Sequence, residues 1–316
     1  MRQGAINDYG LGLRERLGGR VQKVAIDAGL SCPNRDGRVS TGGCTFCRGD
    51  AFSPDYCRTS PSIAEQIDRG IRFHAARRRT ASRYLAYFQT GTNTYAPISK
   101  LEQIYNEALA HPAISGIIVG TRPDCISSEI LDLLEHISTT HYVAVEYGIE
   151  SVYDATLSHV NRHHTFADAR EAVSRTKARN IDCGAHFILG LPNESRDDII
   201  ASTSEINSLG VDFVKLHQLQ IYRHTPIERE WEEHPERFLF AADFSADDYI
   251  SLLVDIIRRL SPTIAIERMV SLAPRHLTRF SPLGGMRPDE VRRRVIEQLD
   301  CLGAMQGDLC NNNNLQ

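Results

Sequence analysis

Short runs of β-branched and aromatic residues alternate with longer amphipathic segments between Val21 and Gln220. This alternation is typical of βα units, in which helices connect parallel strands. Strands are predicted at Val21–Ala28, Tyr84–Gln89, Gly116–Gly120, Tyr142–Gly148, Asp182–Gly190 and Val211–Gln220. Helices are predicted at Ser62–Arg78, Ser99–Ala110, Ser127–Ile137, Thr165–Arg179 and Arg196–Leu209. Six strands are too few for an eight-stranded barrel, so the sequence predicts an α/β fold, a partial (β/α)6 barrel of the TIM type.

The alternation weakens after Ile221, which predicts a small C-terminal α/β extension. Trp231–Phe240 reads as irregular, Asp247–Leu260 as a helix, Thr263–Met269 as one more strand and Pro288–Leu302 as an arginine-rich helix. The predicted organisation is a core over 1–220, an extension over 221–305 packed on that core, and a disordered tail over 306–316. The tail prediction follows from its polar asparagine tract, which buries too little surface to offset chain entropy.

Composition limits the partners of the chain. The net charge of −4 and the pI near 6.3 argue against a generally basic surface, so a nucleic acid would need a local patch. Arg77–Arg79 with Arg83, and Arg292–Arg294, are the candidates, although arginines at helix ends are usually solvated. The N-terminus has no signal-peptide core and no run suits a membrane span, so we expect a cytoplasmic protein without a membrane partner.

Three of the eight cysteines form the most informative motif, C-x11-C-x2-C, directly after the first predicted strand. Cys32, Cys44 and Cys47 supply three thiolates, whereas structural zinc sites and ordinary iron–sulfur clusters normally take four protein ligands. The triad therefore predicts a metal centre with one open position. The spacing alone leaves a structural zinc site open as an alternative, with Cys57 as fourth ligand.

The order of further motifs resembles the radical SAM superfamily, and most closely the YhcC-type bacterial family that is akin to the radical SAM domain of the elongator catalytic subunit. These motifs are CPNRDG and GGCTFC, YLAYFQTGTNTYAP, GTRPDC, VEYGIES, NRHHTF and HFILGLPNES. The resemblance implies a [4Fe-4S] cluster on Cys32, Cys44 and Cys47. It also implies S-adenosylmethionine (SAM) at the open iron, and an electron donor such as flavodoxin or ferredoxin.

The resemblance also implies roles in SAM binding for residues that follow the later strands. Gln89, Thr92 and Asn93 stand where the family places its contacts to the methionyl amino group. Glu146, or Glu150 in its place, is the candidate for the ribose hydroxyls, and Gly190 with Leu191 for the adenine. Arg162 suits the methionyl carboxylate because a guanidinium offers two parallel donors.

These SAM-binding roles have plainer alternatives. Glu146 could instead pair with an arginine in the barrel interior, and Arg162 could form an ion pair at a helix start. The family more often has glycine or alanine where this chain has His163, which puts the local backbone in question.

Three residues are candidates for a direct catalytic role. Cys125 follows the third strand, although a buried hydrophobic role is the commoner fate of a free cysteine. Lys215 and His217 lie two residues apart on the sixth strand and so share one face. If that face is the barrel interior, they could bind an anionic substrate or move a proton.

The leading function hypothesis is a radical SAM enzyme that cleaves SAM reductively to a 5′-deoxyadenosyl radical. The resemblance to the elongator group, whose members act on wobble uridines of tRNA, implies tRNA as substrate. Two alternatives stay open: the same chemistry on a small metabolite, and a zinc-stabilised RNA-binding protein without catalysis.

Overall fold

The structure, a computed structural model, describes residues 4–51, 53–60, 62–241 and 243–310. Its strands are β1 (Val21–Ile26), β2 (Arg83–Phe88), β3 (Ile114–Thr121), β4 (Tyr142–Glu150), β5 (Asp182–Leu189), β6 (Phe213–Gln218), β7 (Ile221–Tyr222), β8 (Ala265–Arg268) and β9 (Thr278–Phe280). Its α-helices are α1 (Tyr9–Leu17), α2 (Asp55–Arg58), α3 (Ile63–Ala75), α4 (Ile98–Leu109), α5 (Ser128–Ser138), α6 (Asp154–His159), α7 (Phe166–Lys177), α8 (Arg196–Ser208), α9 (Pro226–Glu233), α10 (Ala246–Arg259) and α11 (Pro288–Cys301). Among the described residues no helix is both long and apolar enough to cross a bilayer.

Seven of these strands form one parallel sheet in the order β1-β2-β3-β4-β5-β6-β8, and β7 pairs separately with β9. The six predicted strands and the five predicted helices are confirmed, with ends that differ by a few residues. The seventh strand, β8, pairs with β6 and comes from the segment that the sequence assigned to the extension. The segment after residue 220 therefore contributes a strand to the core sheet.

Ion pairs across its interior show that the sheet is strongly curved. β1 and β8 are its two edge strands, yet Lys23 Nζ of β1 lies 2.6 Å from a carboxylate oxygen of Glu267 in β8. A flat sheet of seven strands would hold these residues about 28 Å apart, since neighbouring strands are about 4.7 Å apart. The predicted partial barrel is thus confirmed, with seven strands rather than six.

Helix starts in this fold follow from local side-chain chemistry. Capping boxes at Thr165 and Asp168, at Ser195 and Asp198, and at Ser245 and Asp248 satisfy backbone N–H groups at the starts of α7, α8 and α10. Apolar strand residues such as Ile117 and Val145 are fully buried between the sheet and the helices. Burial of such a side chain stabilises the fold by about 1.5–3 kcal/mol.

Helix α1 was not predicted, although the sequence carries its signals. The Asp8 side chain caps its start by accepting from Leu11 N at 2.6 Å, and Gly18 ends it with a φ of 70°. Tyr9 and Leu13 of α1 pack against Tyr87 inside the sheet, in a cluster separate from the main core. Helix α1 therefore fills the interior of the barrel.

Two predictions for the C-terminal part were wrong. Trp231–Phe240 is not wholly irregular, because α9 extends to Glu233 with Ile227 fully buried and Trp231 stacked on Phe280. The predicted disordered tail begins too early: Gln306 is buried and donates to Ser261 O (2.8 Å) and Ile264 O (2.7 Å). Residues 311–316 lie outside the described residues.

Candidate functional site

A cavity of about 380 Å³ lies over the carboxyl ends of the strands, where active sites of barrel enzymes are found. Its volume is in the range of small-molecule sites. The predicted site residues in its lining are Cys32, Cys44, Cys47, Gln89, Thr92, Glu146, Glu150, Arg162 and His217. The tertiary structure thus brings most of the predicted residues to one place.

Two of the three cysteines, Cys44 and Cys47, accept hydrogen bonds at sulfur. Asn34 Nδ2 donates to Cys44 Sγ at 3.3 Å, Arg35 to Cys47 Sγ at 3.3 Å, and Arg162 to Cys44 Sγ at 3.6 Å. Burial and the neighbouring Cys44 raise the pKa of the Cys47 thiol, and Arg35 acts in the opposite direction. Donors aimed at sulfur favour the thiolate, which is the form that ligates metals.

This donor set fits a three-cysteine iron–sulfur cluster. In the described part of the chain, no three His, Cys, Asp or Glu side chains are close enough to hold a single metal ion. Thiolates on different irons of a cluster are spaced more widely than the ligands of one ion. Cys57, the fourth ligand of the zinc alternative, donates its S–H to Ala25 O at 3.3 Å. This hydrogen bond engages the Cys57 thiol with the backbone of β1, which disfavours the zinc site with four cysteine ligands.

The NRHH segment fastens the cysteine loop to the rest of the barrel. Asn34 Nδ2 donates to Asn161 O at 2.6 Å, and Asn161 Nδ2 donates to Gly43 O at 2.8 Å. His163, the departure from the family pattern, has a φ of 57°. Glycine, one of the two residues expected from the family pattern, would adopt this left-handed conformation without steric cost, whereas histidine adopts it at some cost.

Arg162 is buried and its guanidinium already has several partners. Besides Cys44, it donates to Gly148 O at 2.5 Å and to His164 Nε2 at 3.0 Å, and it lies 3.4 Å from Glu150 Oε1. Burial and the adjacent Arg162 charge lower the pKa of His164 to about 4, so that ring is neutral and can accept. Arg162 thus lines the cavity and also forms an ion pair, with Glu150 at the end of β4 and not at a helix start as the alternative expected.

The loop after β2 approaches the cysteine loop closely. Gly91 has a φ of +80°, and a Cβ there would lie 2.5 Å from Leu30 O. Thr92 N donates to Ser31 O at 3.1 Å. Asn93 is turned away from the cavity and donates to Phe88 O (3.0 Å) and Gly120 O (2.9 Å), so its side chain joins the ends of β2 and β3.

Glu146 lies fully buried at the centre of an interior charge network. Its carboxylate accepts from Lys23 Nζ (2.8 Å), Lys215 Nζ (2.5 Å) and His186 Nε2 (2.9 Å). Burial alone would raise its pKa, but the two lysines lower it well below the usual range. The interior-pair alternative is thus realised, with lysines in place of the expected arginine.

Lys215 and His217 both face the barrel interior, the orientation on which their candidate catalytic roles depend. Burial lowers the pKa of Lys215 to about 8, although Glu146 and Glu267 oppose this shift. Burial and the nearby Arg268 lower the pKa of His217 well below its usual value, so the ring is neutral. Its Nε2 atom is buried without a hydrogen-bond partner among the described residues.

Five predicted site residues are outside the cavity lining: Asn93 and Lys215, described above, and Cys125, Gly190 and Leu191. Cys125 lies in a short 3-10 turn after β3, and burial raises the pKa of its thiol to about 12. A Cβ on Gly190 would lie 2.5 Å from the Phe240 ring, and Leu191 is fully buried in the core. The adenine and catalytic roles predicted for these residues stay predictions.

Sequence reasoning missed several charged residues of the cavity. Arg122 and Arg268 are in its lining, and Lys23 and Glu267 complete the network around Glu146. Arg122 is buried and donates to the Asp124 carboxylate from Nε (2.9 Å) and from Nη2 (2.8 Å). Its Nη1 atom has no hydrogen-bond partner among the described residues. The GTRPDC motif contained Arg122, but its sequence context gave no sign of an unfilled donor.

The basic runs are poorly placed to serve the cavity. Arg292 pairs with Asp8 at 2.5 Å, Arg293 with Glu297 at 2.6 Å, and Arg294 with Asp247. Arg77–Arg79 lie between the end of α3 and the start of β2, at the amino end of the sheet and so opposite the cavity. Neither run adjoins the site.

Comparison with known proteins gives the family. The family model described as the Radical SAM superfamily matches residues 36–206, and that described as the Radical_SAM C-terminal domain matches residues 211–299. The chain belongs to the Radical SAM superfamily, whose members use a [4Fe-4S] cluster and SAM.

Its relatives agree with the YhcC-type family. Bacillus subtilis YtqA is 34% identical over 297 residues, covering 93% of this chain and 89% of that protein. Escherichia coli YhcC is 34% identical over 282 residues, covering 89% and 88%. The solved structure of the archaeal Methanocaldococcus infernus Elp3 with an N-terminal deletion has a TM-score of 0.65 at 14% identity, covering 90% of this chain and 64% of that chain. At that identity the likeness concerns the fold alone.

Proposed function

We propose that this protein cleaves SAM reductively at a [4Fe-4S] cluster held by Cys32, Cys44 and Cys47. The observation that carries the proposal is that three thiols, each in the lining of one cavity, lie among donors from Asn34, Arg35 and Arg162. When bound, the cluster supplies one electron to the sulfonium of SAM, which yields methionine and a 5′-deoxyadenosyl radical. A flavodoxin or ferredoxin is the proposed electron donor.

The residues of the cavity would orient SAM and exclude water. Arg162 and the free nitrogen of Arg122 are donors on the cysteine side, and a carboxylate is the natural acceptor for two guanidinium groups. Gln89 and Thr92 adjoin the cysteine loop and remain candidates for the methionyl amino group.

Glu150 is a better candidate than Glu146 for the ribose hydroxyls. Both oxygens of Glu146 are engaged by lysine or histidine nitrogens, whereas Glu150 has one ion pair, at 3.4 Å from Arg162. Glu150 also has a φ of 74° at the end of β4, next to a register shift against β5. Such strained residues cluster at ligand sites.

For the substrate we favour a wobble uridine of tRNA, on the resemblance to the elongator group. A small metabolite is the second candidate, and the distance of the basic runs from the cavity favours it. Comparing modified nucleosides in tRNA from a deletion strain and the parent strain separates the two. An unchanged nucleoside profile would count against tRNA.

The cleavage reaction itself has a direct test. Protein reconstituted with iron and sulfide without air, then given dithionite and SAM, should bind about four irons per chain and release 5′-deoxyadenosine. Absence of that product from cluster-loaded protein, under conditions in which a known radical SAM enzyme is active, would contradict the proposal. One zinc and no iron in protein purified without air would support the zinc-stabilised alternative.

A further inference from the structure

The wall of the cavity formed by the ends of β6 and β8 carries a cation without a counter-charge. Arg268 is in the cavity lining, and it has no hydrogen bond or ion pair with another described residue. Its nearest charged and titratable neighbours include Lys215 and His217, whose pKa values its charge lowers. We call Arg268 and His217 the anion wall.

A register shift turns Arg268 toward the cavity. Consecutive residues of a regular strand point to opposite faces, yet Glu267 pairs with the interior lysines while Arg268 is in the cavity lining. The pairing of β6 with β8 shifts by one residue between Val214 and Lys215. Such an irregularity re-aims a side chain at a functional edge.

Without Arg268, the charged side chains of the network around Glu146 sum to zero. The two lysines, Lys23 and Lys215, pair with the two carboxylates, Glu146 and Glu267, which gives a net charge of zero. His186 and His217 are neutral because burial lowers the pKa of each. Arg268 therefore adds one uncompensated positive charge in a partly desolvated cavity, where it favours an anion.

His217 supplies a second unfilled position beside this charge. Its Nε2 atom is buried and has no partner among the described residues. A neutral imidazole can donate from this atom to an anionic oxygen, and the guanidinium of Arg268 can donate two parallel bonds. Together they match an oxyanion, either a phosphate or a carboxylate.

Hydrogen bonds fix the backbone that directly follows Arg268. Gln218 exchanges hydrogen bonds with Ser271, donating to its O at 2.7 Å and accepting from its N at 2.9 Å. Tyr249 OH donates to Met269 O at 2.8 Å. A fixed backbone limits the conformational entropy that this segment loses when Arg268 binds a ligand.

We infer that the substrate carries an anionic group, a phosphate or a carboxylate, which Arg268 and His217 bind at the β6–β8 wall. The inference rests on the proposed function for its chemistry, but its binding site is formed by this chain alone. The donors proposed above for SAM's own carboxylate, Arg122 and Arg162, are separate and lie on the cysteine side of the cavity.

The test measures anion binding to the full chain. Inorganic phosphate and, separately, acetate are titrated calorimetrically at constant ionic strength into wild type, R268Q, R268K and R20Q. Arg20 is exposed beside the start of β1, at the amino end of the sheet and away from the cavity, and R20Q makes the same change of charge. We expect R268Q to weaken binding of the preferred anion about tenfold or more, R268K to weaken it less, and R20Q to leave it unchanged.

A local readout separates the anion wall from a general charge effect. In protein with ¹⁵N-labelled histidine, phosphate or acetate should shift the His217 signal, assigned with H217Q, and this shift should be lost in R268Q. Equal anion affinity in wild type and R268Q, or an unmoved His217 signal, would overturn the inference. Should R268Q fail to fold, R268K and H217Q provide the same comparison.

The same samples distinguish the two proposals. The anion that binds more tightly shows whether the anionic group of the substrate is a phosphate or a carboxylate. Cluster-loaded protein saturated with SAM should still bind it, and competition by SAM would assign the wall to SAM instead and overturn the inference. Protein that binds the anion but forms no 5′-deoxyadenosine would defeat the proposed function and leave the anion wall standing.

Discussion

The cysteine loop and the charged interior lie on the same cavity but are built in different ways. The loop is irregular backbone, held by side chains such as Asn34 and Asn161, and two of its thiols, Cys44 and Cys47, accept hydrogen bonds. The interior network stands on regular strands, and its lysines and glutamates satisfy one another. The thiols of the loop are thus available to a ligand, whereas the charges of the network neutralise one another.

The largest expected effect is on the loop. C44A should reduce iron content and SAM cleavage to background, because it removes one of the three proposed cluster ligands. C57S should retain both, since the Cys57 thiol bonds to Ala25 O, and exposed Cys301 changed to Ser gives a second control. Iron analysis and 5′-deoxyadenosine assay measure the outcome. Loss of iron in C57S would instead support a metal site in which Cys57 is the fourth ligand.

The next effect is on the interior network. E146Q should lower the free energy of unfolding by about 3–5 kcal/mol, because it removes the carboxylate shared by buried Lys215 and partly buried Lys23 and leaves them only Glu267 as an ion-pair partner among the described residues. E205Q, which breaks the exposed pair with Arg170, should change it by less than about 1 kcal/mol. Urea unfolding measures both. Replacing Lys215 by Met in the E146Q background should recover part of the lost stability. Equal decreases in the free energy of unfolding for E146Q and E205Q would contradict the difference between the interior network and an exposed ion pair.

A third effect concerns a buried carboxyl without a cation. Glu194, which accepts from Ser151 at 2.5 Å, has its pKa raised by burial to about 7. In the unfolded chain its pKa is about 4.3, so its contribution to stability is fully present below pH ~4.3 and is lost as pH rises through ~7. E194Q should therefore be more stable than wild type at pH 8, by up to about 3 kcal/mol.

Urea unfolding at pH 5.5 and pH 8 checks this sign. E194Q should reduce the fall in stability between the two values, and E205Q, at an exposed glutamate, should show the wild-type pH dependence. A steeper fall in E194Q than in wild type would contradict the raised pKa. The predicted result would show that burial without a cation raises the pKa of Glu194, whereas the lysines beside Glu146 lower its pKa and keep it ionised.

The smallest effect tests the contact between the β2 loop and the cysteine loop. G91A should cost about 1–3 kcal/mol, because alanine is strained at a φ of +80° and its Cβ would meet Leu30 O. G12A is the matched control, since Gly12 lies in α1 with no atom within 4 Å of an added Cβ. Thermal unfolding and iron occupancy measure both. A neutral G91A would mean that the two loops are not tightly coupled.

The sequence was most informative where its signals are local. Alternation of strand and helix patterns predicted the parallel sheet, since residues close in sequence determine these periodicities. The C-x11-C-x2-C spacing and the following motifs predicted the cysteine loop and its family. Helix α1 was missed although its cap residues Asp8 and Gly18 were visible, because its short amphipathic pattern is weak.

The sequence was least informative about charges. Glu146 was visible as a strand residue, but its partners Lys23 and Lys215 stand 123 and 69 positions away. Arg268 lies within the predicted strand Thr263–Met269, but the sequence gave no sign of the direction of its side chain, because the register shift between β6 and β8 depends on how the two strands pair.

The sequence by itself thus determined that three cysteines follow the first strand of a parallel sheet, because both features come from local order along the chain. Only the tertiary structure decided which charges are neutralised. The curvature of the sheet brings β1 next to β8, so that Lys23 and Glu267 pair and Arg268 remains without a partner among the described residues. Coulomb energy depends on distance and burial, and neither is encoded in the spacing of residues.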